Sequence, residues 1–240
     1  FMDETPTKQA NEKAWLWTAV TSTFAVFAVF SSRAATALPK LLGDSFNGII
    51  NCDRAKMYWR AERLQWCWAH LARDFQALVE HHDNQVKRLG FDLKRQVGIM
   101  FNIWHRHKSG EISWESFQAQ IQPVRDTVNH LLLRGRCSGN KRLKGMCKEL
   151  YEHRDWLWTF ADIQGIEPTN NTAERALRPA VIYRKLSFGT QSEAGSRFIE
   201  RMLTISETCR LQKRPIYQWL CDAIDASLKG KPAPPLLADP

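Results

Sequence analysis

The feature that most constrains this chain is a change of period along it. Up to about residue 70 the apolar residues fall in short aromatic and β-branched runs; from Leu71 to about Ile163 they recur at helical spacing. Trp15 to Ser32 carries no charge and breaks at Thr21-Ser22-Thr23 into WLWTAVTS and FAVFAVFSS. That content predicts two strands of a hairpin rather than a membrane span, which needs about 20 mainly apolar residues. Phe1 to Thr5 leaves no room for a full strand before Asp3, and TPTKQANEK reads as the loop into the hairpin.

Further on, AATALPKLLGDSF reads as a helix disturbed or begun by Pro39, and residues 48–52 as a short buried strand ending at Asp53-Arg54. A polar, aromatic helix from Lys56 to Leu64 and a brief strand in QWCWAH follow, the latter turning into a helix near Leu71. Three strands, helix, strand, helix, strand is the order of an α/β sheet, not of a bundle or a sandwich. Strand–helix–strand crossovers make parallel neighbours. If the strand of Asp3 pairs with that of Asp53, two carboxylates meet about 4.8 Å apart, close enough to share a metal.

The helical middle contains three segments: residues 71–107 with a break near Gly90, 114–136 with a possible kink at Pro123, and 140–163. Arg134, Arg136, Lys141, Arg142, Lys144 and Lys148 form a basic cluster, which either tracks a phosphate backbone or is a solvated face. His81, His82, His105 and His107 read as surface histidines. One more amphipathic helix follows Arg214, and a loose Pro-rich tail closes the chain.

A formal net charge of +9 suits a polyanionic partner, or simply a soluble basic protein. The six cysteines include no C-x-x-C pair, and Cys67 with His70 is half a zinc site with no second half in reach. Reduced, buried thiols and the lack of a secretory leader make a cytoplasmic setting the expectation. No P-loop, dinucleotide fingerprint or G-x-S-x-G is present.

Residues 168–204, PTNNTAERALRPAVIYRKLSFGTQSEAGSRFIERMLT, place Glu174 among Arg175, Arg178, Arg184, Lys185, Arg197 and Arg201. Asp3, Asp53 and Glu174 each adjoin an element boundary, where Mg²⁺ or Mn²⁺ would offset the cost of burying a carboxylate. The competing explanations are a frayed terminus at Asp3, an Arg54 partner or helix cap at Asp53, and a capping box opened by Asn171 at Glu174.

The segments MDET, WLWTAV, GIINCDR, CWAHLARDF and NNTAERALRPAVIYRKLSFGTQSEAGSRFIERMLT resemble the transposases of the insertion sequence 66 family. The likeness is most specific in the last block and weakest between about residues 76 and 165. It implies a ribonuclease-H-like fold: a mixed five-stranded sheet flanked by helices, with an all-helical insertion before the helix carrying the third acid. On that basis residues 1–75 and 166–228 form the core, 76–165 the insertion and 229–240 the tail. The family's DET motif falls on Asp3, the acid closing its fourth strand on Asp53, and the glutamate of N-N-x-A-E-R on Glu174.

The resemblance implies that these three carboxylates hold two Mg²⁺ or Mn²⁺ ions, cut DNA at transposon ends and join it to target DNA. Arg175, Arg178, Arg184, Lys185, Gln191, Ser192, Ser196 and Arg197 are then the expected DNA contacts, with an internal salt bridge the alternative for Arg178. His70 matches a family position and either orients a carboxylate or packs under the sheet. A homo-oligomer on DNA, accessory transposition proteins, no membrane and a nucleoid-associated location complete the expectation. The family's long amino-terminal region is expected to be missing, leaving a fragment or a decayed copy. The rival readings are an inactive DNA-binding or assembly remnant and a metal-dependent nuclease without strand transfer.

Overall fold

A computed structural model describes residues 1–237. In chain order the elements are β1 (Met2–Gln9), β2 (Glu12–Val20), β3 (Ala25–Phe30), α1 (Ala37–Leu42), β4 (Ile50–Cys52), a 3-10 turn (Lys56–Arg60) and β5 (Leu64–Trp66). Helices α2 (Trp68–Val79), α3 (Asn84–Lys108), α4 (Trp114–Arg136), α5 (Lys141–Glu152), α6 (Asp155–Asp162), α7 (Asn171–Ser187), α8 (Glu193–Leu211) and α9 (Ile216–Leu228) follow. The architecture is mixed α/β, with a three-stranded sheet ordered β1-β2-β3 and a two-stranded sheet β4-β5. Two compact units emerge: residues 1–50, 55–61 and 170 onward in unit 1, and residues 51–54 and 62–169 in unit 2.

Unit 1 is built on two antiparallel hairpins. The expected loop TPTKQANEK is instead strand: β1 runs through it, pairing from Met2 opposite Ala19 to Gln9 opposite Glu12. Its polar sequence hides it, because β1 ends the described sheet order β1-β2-β3, with a bridge from Gln9 to Thr190, and such a position tolerates both exposed polar side chains and Pro6. Ala10 and Asn11, at φ of 50° and 64°, make the two-residue turn whose twist suits a hairpin. The strand is anchored ahead of Asp3, since the Phe1 nitrogen donates to the Val20 carbonyl at 2.9 Å and the Phe1 carbonyl accepts from Val20 N–H at 2.8 Å. The β2–β3 hairpin forms as its sequence predicts, with Thr21 Oγ1 accepting from Phe24 N–H at 3.0 Å in the turn.

Helix α7 lies on this sheet through Ala173, Ala176, Leu177 and Ala180, an i, i+3, i+4, i+7 stripe packed against Leu16, Val20, Phe27 and Val29. Helix α8 covers the outer edge of β3 by hydrogen bonding. The N–H groups of Ala25, Phe27 and Val29 donate to Thr208 Oγ1 (3.1 Å), Thr204 Oγ1 (3.1 Å) and Glu200 Oε1 (2.5 Å).

Unit 2 is mainly helical, with Trp66, Trp68, Trp158, Phe117 and Phe160 buried. The helix expected over Lys56 to Leu64 is only a five-residue 3-10 turn, in unit 1. Helix α2 starts at Trp68 rather than near Leu71. The expected break at Gly90 lies earlier: Asp83 caps α3, its Oδ1 accepting from Gln85 N–H at 2.8 Å. Gly90 is instead a contact residue, where an added Cβ would stand 2.7 Å from the Val79 nitrogen of α2. Pro123 sits within α4. The third expected segment divides at His153 and Arg154 into α5 and α6. The entry and exit of the unit are bonded together: Asn51 Nδ2 donates to the Glu167 carbonyl at 2.6 Å and Trp68 N–H to the Pro168 carbonyl at 2.9 Å.

Among the described residues no helix is long and apolar enough to cross a membrane. In the tail the Leu236 carbonyl accepts from Arg214 Nη1 at 3.0 Å; residues 238–240 of that tail lie outside the described residues.

Candidate active site

Two of the three singled-out acids belong to unit 1. Asp3 is the second residue of β1, opposite Thr18, half-buried, with Oδ1 accepting from Glu4 N–H at 2.9 Å. Glu174 lies in the first turn of α7, where the helix N-terminus favours a carboxylate. The expected capping box is absent, because α7 is preceded by Asn170 and no side chain caps it. Asn170 is instead fully buried and donates from Nδ2 to the Met2 carbonyl at 2.7 Å. One side chain thus ties the start of the Glu174 helix to the residue before Asp3.

The acid beside Asp3 has a different task. The Glu4 side chain is 1% exposed and pairs with Arg33 at 2.5 Å, while the Tyr58 hydroxyl donates to its other oxygen. A carboxylate this enclosed is kept by its partners. It pins β1 to the turn after β3 and to the 3-10 turn, holding the strand on which Asp3 sits.

Asp53 and His70 belong to unit 2. Asp53 follows β4 directly and is half-buried. Arg54 faces acids from two helices, Asp74 at 2.6 Å and Glu149 at 2.9 Å. His70 lies in the first turn of α2, half-buried, its N–H donating to the Cys67 carbonyl at 3.1 Å. None of the six cysteines is in a disulfide, and burial pushes the Cys147 thiol up to about 11.

The expected DNA contacts separate into two groups. Arg175, Arg178, Lys185, Gln191 and Ser192 are exposed. Ser192 caps α8, accepting from Gly195 N–H at 3.1 Å, while Arg184 donates to the Pro6 carbonyl. Arg197 reaches Glu200 at 2.9 Å and the Val29 carbonyl at 3.3 Å, so it serves the β3 edge. Ser196 is a correction: it is fully buried, its hydroxyl donating to Gln9 Oε1 at 2.6 Å, which leaves it no face for DNA. In the other basic cluster, Arg134 pairs with Asp92 at 2.8 Å and Arg136 lies 5.0 Å from the Tyr151 ring centre.

Sequence reasoning missed Glu4 and Asn170, the two side chains that position the unit 1 acids. Both stand inside the motifs already singled out, so their place beside Asp3 and Glu174 was the available signal.

Among known proteins, the Transposase IS66 family matches residues 1–197. A curated relative, the uncharacterized protein y4qI of Sinorhizobium fredii (strain NBRC 101917 / NGR234), is 25% identical over 267 residues, covering 97% of this chain and 48% of that protein. The chain therefore spans about half the length of the curated relative it matches. No solved structure matches it.

Proposed function

This chain belongs to the IS66 family of transposases, and from that we propose that it carries the catalytic part of a metal-dependent DNA transposase, with Asp3, Asp53 and Glu174 as its catalytic carboxylates. One observation carries the reading: the family match spans residues 1–197 and so takes in all three acids. In the proposed fold β1 to β5 are the strands of a ribonuclease-H-like sheet, α3 to α6 lie in the helical insertion, and α7 brings the third acid.

The donor set fits Mg²⁺ or Mn²⁺, because carboxylate oxygens are the ligands hard divalent ions prefer and Asp3, Asp53 and Glu174 are each half-buried. Two such ions would activate water or a 3′-hydroxyl and stabilise the leaving oxygen.

The protein's own residues supply position and charge. Asn170 holds the start of α7 against β1, and the Glu4–Arg33–Tyr58 set fixes β1 itself. Arg175 and Arg178, exposed on α7, offer guanidinium forks for backbone phosphates of the DNA. The substrate is DNA at transposon ends, then target DNA, with a homo-oligomer and accessory proteins as proposed partners.

The test is a nicking assay on DNA of transposon-end sequence with Mg²⁺ or Mn²⁺, comparing the parent with Glu174→Gln. Nicking that needs the metal and falls to background in the variant is the expected result. A folded parent, verified by thermal melting, that cuts nothing with either metal would leave only the inactive DNA-binding remnant. Cutting without strand-transfer products would reduce the reading to a nuclease.

A further inference from the structure

Where the ends of β1 and α7 meet in unit 1 there is an open groove of about 310 Å³, lined by Pro6, Lys8, Arg184, Lys185, Phe188 and Gly189. Phe188 ends α7 in the left-handed region at φ 59° and is 78% exposed. That combination is unusual, since glycine or asparagine ends a helix this way with less strain and water is a poor setting for a phenyl ring. The frame around it is fixed. Gly189, at φ 103°, sits so close to β1 that an added Cβ would stand 2.4 Å from the Lys8 carbonyl oxygen. The same carbonyl accepts from Thr190 N–H at 2.9 Å, and Arg184 is anchored on the Pro6 carbonyl.

The lining has a definite chemistry: a proline and an aromatic ring, three cations, Thr7 and Gly189, and no carboxylate. An apolar face rimmed by positive charge matches one nucleotide, with the base on the ring and phosphate on the cations. Its volume lies at the lower end for small-ligand sites. We propose that Phe188 stacks on an unpaired DNA base while Lys8 and Lys185 take the adjoining phosphates. This rests on the DNA reading above and adds to it a site for single-stranded or opened DNA.

The experiment measures fluorescence anisotropy on the full chain with a single-stranded oligonucleotide of about 12 bases, within the usual footprint of such sites, and with a duplex of the same length. Phe188→Ala should weaken single-strand binding roughly 5- to 150-fold, the range for loss of one stacked base, and leave duplex affinity and salt slope unchanged. Phe188→Tyr should restore binding. Phe188→Asn should bind as weakly as the alanine variant yet melt at a higher temperature, because asparagine accepts the left-handed conformation. Lys185→Gln should lower the salt slope on both probes. If Phe188→Ala binds single strands like the parent while Lys185→Gln binds weakly, DNA recognition stands and the stacking site falls. If the parent binds neither probe, both fall. If Phe188→Ala keeps its DNA affinity but loses self-association, the ring is a protein contact and the proposal is overturned.

Discussion

Glu200 shows how a single side chain can link proton uptake to stability. It is buried on α8, accepting from Val29 N–H and paired with Arg197. Loss of water raises its pKa above the usual glutamate range, against the opposing pull of the Val29 N–H, Arg197 and Arg201. The folded chain therefore holds this proton more tightly than the unfolded one. Stability from this group is full below the unfolded pKa and is lost as pH rises through the folded pKa. Urea melts between about pH 4 and pH 8 should show a decline with pH in the parent that Glu200→Gln lacks, since glutamine still accepts from Val29. Equal pH profiles would show that Glu200 does not titrate in this way. The same scale shows where sequence reading stops. The motif around Asp3 could be read from the sequence, but the burial of Glu4 could not, because Arg33 and Tyr58 lie 29 and 54 residues away.

Between elements, the α8–β3 contact follows from matched repeats. Glu200, Thr204 and Thr208 are four apart, a helical rise of about 6 Å, and Ala25, Phe27 and Val29 are two apart, a strand rise of about 6.7 Å. Each side-chain oxygen therefore meets one outward N–H, and the sheet edge is covered without another strand. Thr208→Val would leave the buried N–H and carbonyl of Ala25 without this hydroxyl and should cost about 1–3 kcal/mol. The check is a lower urea midpoint at an unchanged slope. The hairpin of β2 and β3 was legible because both strands are apolar and β-branched. Strand β1 was not, because a strand with exposed polar side chains and a proline reads as polar loop, and Gly90 was misread because its reason for being small lies on α2.

Over the whole molecule, the surplus of cations sets the expected response to salt. The chain carries a net charge of +9, and Arg175, Arg178 and Lys185 share α7 with their side chains exposed. If about six phosphates are engaged, duplex affinity should fall roughly 1,000-fold between 50 and 200 mM salt. Anisotropy titrations at several salt concentrations measure this, and a flat response would show that the charge serves solubility alone. The mixed α/β class and the helical character of the middle were legible from periodicity. The nesting of one compact unit within the chain of another was not, because it depends on bonds between residues more than a hundred positions apart, such as Asn51 and Glu167.

Those bonds bring the two ends of an inserted piece together, as a clasp closes a necklace. Lineages can lengthen or trim what hangs inside such a loop, because its two ends stay bonded to each other. Innovation can thus accumulate in the helices while the bonds that close the loop stay as they are.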